Sequence, residues 1–320
     1  MRALRVTSEA GPDAVSVVDL PEPDGELVVA VRAAGVSFPD LLMTRGEHQV
    51  RQPLPFTLGW EAAGDVVRAP AGGRFAVGDR VMTLSLGSHA ERVAAVPEAT
   101  FVLPHGLSYE EGAALPLNYL TALAATERRG RVRAGETVLV HGAAGGVGTA
   151  TTQIAKALGA NVIAVVSSDA KAQIARVAGA DEVLVGDDFR AQLAMPVDVI
   201  VDPVGGSERF KESLRAVASE GRVVVVGFTA GDIPEVKVNR LLMRNIDVVG
   251  CSFGVYASDV NGIADAVARL QEFVATGAIR PLIGSTHTLE DGPAALRELA
   301  ERRATGKIVL TLPQPAEATS

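Results

Sequence analysis

The sequence predicts an α/β chain of two domains, with a doubly wound parallel sheet in its central part and a β-rich domain ahead of it. Three observations carry this. From Thr137 onward, apolar runs without polar alternation alternate with helical patterns, as strands covered on both faces require. A glycine cluster separates the first of these runs from its helix. Before residue 104, short strand patterns recur at regular spacing between Pro/Gly turns, which reads as a barrel-like domain. A length of 320 residues accommodates both.

Taken in order, the opening strands are expected at 3–6, 15–20 and 27–34. The same pattern continues over 56–104, where Gly78-Asp79 forms a turn ahead of Arg80. Near Ser108 the pattern changes, and helices are expected at 109–114 and 119–128. The run Thr137-Val-Leu-Val-His141 is rich in β-branched residues and predicts a buried strand. The stretch 149–158 places Ile154, Ala155 and Leu158 at helical spacing, and Gly159 supplies the left-handed stop. The run 162–166 completes a strand–helix–strand unit of about 30 residues. Further strands are expected at 182–185, 197–202, 222–228 and 247–252. Helices at 259–276 and 293–303 follow, and a last strand at 307–312 returns to the first domain. The tail 313–320 is expected to fray.

Within the glycine turn, Ala143, Gly145 and Gly148 stand at the spacing of the dinucleotide fingerprint, with alanine in place of the first glycine. A small residue at 143 suits the tight turn. Gly145 lets backbone approach a pyrophosphate, and Gly148 lets helix and strand pack closely. Gly146 and Val147 open the helix, whose free N–H groups and positive dipole end favour phosphate. At the tip of the second strand an NAD site would carry a carboxylate. Here Val166 is followed by Ser167, Ser168, Asp169 and Lys171. Two hydroxyls and a cation suit a 2′-phosphate, which points to NADPH over NADH. In the competing reading, Ser168 or Asp169 caps the next helix and Lys171 points into water.

Composition excludes several classes. A net charge of −8, with no Lys/Arg cluster, argues against a nucleic-acid surface. No apolar run reaches bilayer length, and the N-terminus has no signal-peptide core. The one cysteine, Cys251, precludes an internal disulfide and a cysteine-cage zinc site. The expectation is a soluble, cytoplasmic protein.

The chain resembles the medium-chain dehydrogenase/reductase superfamily, in its zinc-free quinone oxidoreductase branch that includes zeta-crystallin. The resemblance covers nearly the whole length. It is carried by Gly35-Val-Ser-Phe-Pro-Asp40, Arg45-Gly46, Gly59-Trp-Glu-Ala-Ala-Gly64, Leu115-Pro-Leu-Asn-Tyr-Leu-Thr121, Val140-His-Gly-Ala-Ala-Gly-Gly-Val-Gly148, Asp202-Pro-Val-Gly-Gly206 and Gly306-Lys-Ile-Val-Leu310. It implies a GroES-like catalytic domain from 1–118 and 255–320, and a Rossmann domain at 119–254. It also implies that Asn118 and Thr121 meet the cofactor, Thr121 near the nicotinamide. Phe228 and Phe253 would lie along the cofactor cleft, and Ser168 and Lys171 at the 2′-phosphate. Each has a plainer alternative: the phenylalanines as core, Thr121 bonded to its own helix, and Lys171 on a solvated face.

Alcohol dehydrogenases of the superfamily hold zinc through Cys, His and Cys at positions that here are Ser37, Trp60 and Leu117, none of them a zinc ligand. Glu61 is read as a structural hydrogen-bonding partner between the domains. Ser37 replaces the asparagine usual in quinone reductases, and His48 replaces a tyrosine. Ser37 either donates to a substrate oxygen or stabilises a turn. His48, in the polar loop 45–52, is either solvated or a proton donor. Trp60 either walls the substrate ring or fills the space the metal vacated. The resemblance thus implies metal-free hydride transfer from NADPH to a quinone. Reduction of a 2-enone or enoyl thioester is the alternative, and NADPH binding without turnover is a third reading. The apolar strand at 247–252 would be an open sheet edge and predicts a homodimer.

Overall fold

The computed structural model describes residues 1–313, save the side chains at positions 260 and 261. It divides into two compact units. One comprises Met1–Leu117 with the chain from Pro281 onward, and the other Asn118–Arg280.

The first unit is mainly antiparallel. A seven-stranded sheet runs Ile283–Thr288, Lys307–Thr311, Val28–Val36, Glu61–Arg68, Arg80–Leu84, Thr100–Val102, and Arg92–Ala94 also pairs with Val28–Val36. A three-stranded sheet orders Val15–Asp19, Arg2–Val6 and Phe56–Thr57. Val28–Val36 is buried along nearly its whole length, apolar but for Arg32, the one residue of the strand that is not fully buried. Its flanks pack into a core that includes Leu4, Val29, Leu41, Leu58, Val66 and Leu310. The final strand pairs antiparallel with Val28–Val36, with Ile308 opposite Val36, so the chain does return to this unit at its end. The short helix Tyr109–Ala114 begins where expected because Ser108 and Glu111 form a reciprocal capping box. The Ser108 hydroxyl accepts the Glu111 N–H at 3.2 Å, and the Glu111 carboxylate accepts the Ser108 N–H at 2.9 Å.

The second unit is a six-stranded parallel sheet in the order Glu182–Val185, Asn161–Val166, Thr137–His141, Val197–Asp202, Val217–Val225, Asp247–Gly250. This is the doubly wound order, with its reversal between Thr137–His141 and Val197–Asp202. Separate apolar clusters cover its two faces, one around Val138, Val140 and Ala155, the other around Leu139, Ile200 and Phe210. The second strand ends at Val166 and a helix follows at Asp169–Val177.

Several boundaries differ from the sequence expectation. The strand placed at 222–228 is Val217–Val225, which leaves Phe228 on the following loop. The strand placed at 247–252 stops at Gly250, and Phe253 opens a short helix, Phe253–Ala257. The helix expected at 119–128 is Pro116–Leu123, continued by a π-helical turn over Ala124–Arg129. Asp259 and Thr276 are the caps of the helix Val260–Ala275 and not its ends. That helix belongs to the second unit, so the division falls after Arg280 and not at 254/255 as expected. Gln153 gives a local reason. Its amide donates to the Arg280 carbonyl and its carbonyl accepts the Arg280 N–H, both at 2.9 Å, so the chain as far as Arg280 is tied to the helix Gly146–Ala157. Of the expected tail, residues 314–320 lie outside the described residues.

Candidate functional site

The glycine turn follows the strand Thr137–His141, whose Val138, Leu139 and Val140 are fully buried. The left-handed residue is Gly142 (φ +58°), one position before the alanine that the fingerprint spacing singles out. Ala143 is instead buried and held by its N–H to the Val165 carbonyl at 3.2 Å. Gly145 caps the helix Gly146–Ala157, and the half-buried backbone of Gly145, Gly146 and Val147 carries N–H groups that a helix start leaves without intrahelical partners. A Cβ on Gly148 would meet the Gly142 carbonyl oxygen at 2.2 Å and the Ala143 Cα at 2.7 Å. A Cβ on Gly145 would meet only that carbonyl oxygen, at 3.4 Å. The turn is therefore closed on its protein side at Gly148 and open at Gly145, as a pyrophosphate cradle must be. A dinucleotide fits this backbone.

The neighbouring strand presents Ser167, exposed, then Ser168 at the N-cap of Asp169–Val177. The Ser168 side chain makes no capping hydrogen bond, so the purely structural reading of that hydroxyl is not realised. Lys171 is half-buried on the first turn of the helix. Because all six strands are parallel, the glycine turn, Ser167–Ser168, Phe228 and Phe253 all follow strand C-termini and gather along one edge of the sheet. Phe228 is exposed and Phe253 partly buried, so neither is the core residue of the plainer alternative. Asn118 and Thr121 are buried on the helix Pro116–Leu123.

Beneath the turn, His141 is fully buried. Its Nε2 pairs with the Ser213 hydroxyl at 2.8 Å and its ring meets Phe189 edge-on at 4.8 Å. Burial pushes its pKa down to about 4. In the adjacent strand, one oxygen of Asp202 accepts the N–H groups of Val204 and Gly205, each at 2.9 Å. This shapes the Asp202-Pro-Val-Gly-Gly206 turn at the point where strand order reverses. Cys251 is buried and its thiol pushed up to about 11, so it stays a neutral packing group.

A second constellation lies within the first unit. Strand pairing sets Gly35 opposite Glu61 and Val36 opposite Ile308, so Ser37, Glu61 and Lys307 converge. The Lys307 ammonium donates to the Ser37 hydroxyl at 2.6 Å and forms an ion pair with Glu61 Oε1, the two side chains being 4% and 0% exposed. The other Glu61 oxygen accepts the Leu117 N–H at 2.7 Å. The partners of Glu61 are thus Ser37, Leu117 and Lys307, all in the first unit, and the role expected for it between the domains is corrected. Gly35 makes the cluster possible, since a Cβ there would meet Glu61 Oε1 and Lys307 Cε, both at 2.6 Å. Buried Asp40 accepts the N–H groups of Ser37 (2.8 Å) and Gly59 (3.2 Å), and burial raises its pKa.

His48 is not a solvated loop residue. It is half-buried, its Nδ1 accepts the Val50 N–H at 3.1 Å, and its ring sits edge-on to Trp60 at 5.3 Å. That bond leaves the proton of the neutral ring on Nε2, and burial lowers its pKa. The Trp60 indole N–H is buried without a partner among the described residues. Sequence reasoning missed Lys307 and Gly142 as site residues. Lys307 opens an apolar strand, where a charged residue reads as an exposed end, and nothing local reports its burial.

Among the described residues, no group of three or more His, Cys, Asp or Glu side chains could hold a metal ion. At Ser37, Trp60 and Leu117, the positions that the resemblance sets against zinc ligands, stand a hydroxyl that accepts from Lys307, an indole and an aliphatic chain, and these do not fit zinc. No helix among the described residues is long and apolar enough to cross a membrane.

Residues 23–116 match the alcohol dehydrogenase GroES-like domain family, and residues 146–270 match the family described as zinc-binding dehydrogenase. Quinone oxidoreductase-like protein 2 of Rattus norvegicus is 36% identical over 305 residues, covering 91% of this chain and 87% of its own length. The quinone oxidoreductase of Thermus thermophilus, solved alone and with NADPH, superposes at a TM-score of 0.84 with 35% identity, over 98% of this chain and 100% of that one. The Escherichia coli quinone oxidoreductase solved with NADPH superposes at 0.89 with 28% identity, again over 98% and 100%.

Proposed function

The chain belongs to the quinone oxidoreductase-like family of medium-chain dehydrogenases/reductases, and from that premise we propose that it reduces quinones with NADPH and without a metal. The observation that carries the cofactor reading is the glycine turn, closed at Gly148 and open at Gly145. In this reading the N–H groups of Gly145–Gly148 hold the pyrophosphate, and Ser167, Ser168 and Lys171 hold the 2′-phosphate. Asn118, Thr121, Phe228 and Phe253 line the rest of the cofactor. NADPH, when bound, supplies the hydride. What the chain adds is position, exclusion of water, and a donor for the charge that develops on the acceptor oxygen. Ser37 is that donor, Trp60 is the apolar wall, and the Nε2–H of His48 faces the same chemistry. A reduced quinone oxygen is acidic enough to need no Lewis acid, which agrees with a donor set unsuited to zinc.

The pairing of Ser37 with a buried ammonium also favours a second acceptor class, the 2-enones and enoyl thioesters, whose enolate oxygen needs the same donor. A panel of quinones and enones, followed by NADPH absorbance, ranks the two. Tight NADPH binding with no oxidation across the panel would mark a binding protein instead. The reading extends to a cytoplasmic homodimer paired through the edge strand Asp247–Gly250, where Val248 is exposed.

A further inference from the structure

We infer that Lys307 is a positioning residue for the acceptor oxygen, holding the Ser37 hydroxyl so that its proton points at the substrate and setting a fixed positive charge behind it. The inference rests on the reading of the protein as a hydride-transferring reductase and concerns a residue that this reading does not include.

The hydrogen-bond inventory around Ser37 leads there. One donor of the Lys307 ammonium goes to Glu61 Oε1 and another to Ser37 Oγ at 2.6 Å. The second oxygen of Glu61 is taken by the Leu117 N–H, so the carboxylate is anchored to backbone at its far end. The serine oxygen therefore accepts from a cation, and its own proton needs an acceptor. The nearest is Glu61 Oε1 at 3.4 Å, well beyond the 2.5–3.0 Å of a good O–H···O bond. That contact is long and weak, so an acceptor oxygen arriving at ordinary hydrogen-bond distance takes the proton over from Glu61. The Ser37 backbone cannot swing away, because its N–H is bonded to buried Asp40. A hydroxyl that accepts a charge-assisted bond is a stronger donor, and the chain N⁺–H···O–H···O polarises along its length. No proton need leave the lysine. The hydride brings one hydrogen and two electrons to the acceptor, the oxygen takes up the negative charge against the Ser37 hydroxyl, and water supplies the final proton.

A buried ion pair is weak evidence of a stabilising role, since apolar residues of like volume often do as well. Here the chain also gives up a side chain at position 35 to admit the pair.

The test compares wild type with Lys307→Met/Glu61→Gln, Lys307→Arg, Ser37→Ala and Ser37→Ala/Lys307→Met/Glu61→Gln. The first variant removes both charges together, so neither is stranded in the core. Circular dichroism and NADPH fluorescence titration establish that each variant is folded and loaded. The expected result is a fall in kcat of about 100-fold for Lys307→Met/Glu61→Gln and for Ser37→Ala, the scale of losing one oxyanion donor. NADPH affinity should stay within about twofold, and Lys307→Arg should recover most of the rate. Adding Lys307→Met/Glu61→Gln to Ser37→Ala should cost nothing further, because the lysine acts through the serine. A folded Lys307→Met/Glu61→Gln variant turning over at the wild-type rate overturns the inference while leaving the reductase intact, as do losses that multiply in the variant combining all three substitutions. NADPH bound by wild type but oxidised by no acceptor overturns the reductase reading and this inference with it.

Discussion

His141 and Asp202 end neighbouring parallel strands, and each keeps one buried polar atom unpartnered among the described residues: Nδ1 of the histidine and Oδ2 of the aspartate. No hydrogen bond joins them, although the carboxylate's charge partly opposes the burial that holds the imidazole neutral. The floor of the glycine turn thus depends on an uncharged histidine.

Stability should therefore fall in mild acid. The unfolded chain binds a proton at His141 near pH 6.5 and the folded chain only near pH 4. Between these values the unfolded state holds more protons, so this contribution is intact above pH 6.5 and declines as pH drops toward 4. Across this window the loss is on the order of a few kcal/mol. Urea unfolding from pH 7 to 4.5 measures it, and His141→Asn should flatten the slope. An unchanged slope in that variant would assign the acid sensitivity elsewhere.

Substitutions at the two fingerprint glycines should separate folding from binding. The Cβ of Gly148→Ala meets backbone atoms that cannot yield, so a loss of about 1–3 kcal/mol in stability and of NADPH binding is expected. Gly145→Ala has only an ordinary contact on the protein side. It should keep its Tm within a few degrees while NADPH affinity drops tenfold or more. Thermal melts and calorimetric titration read both.

Selectivity for the 2′-phosphate should reside in Lys171. Loss of one charge-assisted hydrogen bond, about 1.5–3 kcal/mol, predicts that Lys171→Ala weakens NADPH tenfold or more and leaves NADH unchanged. Equal affinity of wild type for the two cofactors would remove the basis for the NADPH preference.

The edge strand Asp247–Gly250 pairs only with Val217–Val225 among the described residues, and Val238, Leu242 and Met243 nearby in sequence are strongly exposed. Light scattering at micromolar concentration is expected to find a dimer, and Val248→Lys to shift it toward monomer. A wild-type monomer would count against pairing through this strand.

The central sheet was readable because its information is local. Uninterrupted β-branched runs, helical spacing from Ala150 to Leu158, and Gly159 with its positive φ place the strand–helix–strand unit with little help from the rest of the chain. Strand ends read less well. Phe228 continues the apolar run begun at Val223, yet pairing with Val197–Asp202 ends at Val225, and which residues of an apolar run are paired depends on the neighbour. Gly142 escaped because fingerprint spacing identifies positions and not dihedral angles.

The amino-acid sequence by itself determined the doubly wound unit, its glycine turn, the serines and lysine beyond the second strand, and the absence of zinc-type ligands at Ser37, Trp60 and Leu117. Only the tertiary structure decided which partners Ser37 and Glu61 have. Their partner Lys307 lies 270 and 246 residues further along the chain, and it reaches them because the last strand adds to the sheet beside Val28–Val36. Short-range patterns encode how a segment folds. A buried charge acquires its meaning from whichever strand is packed against it, and that is settled by pairing across the whole chain.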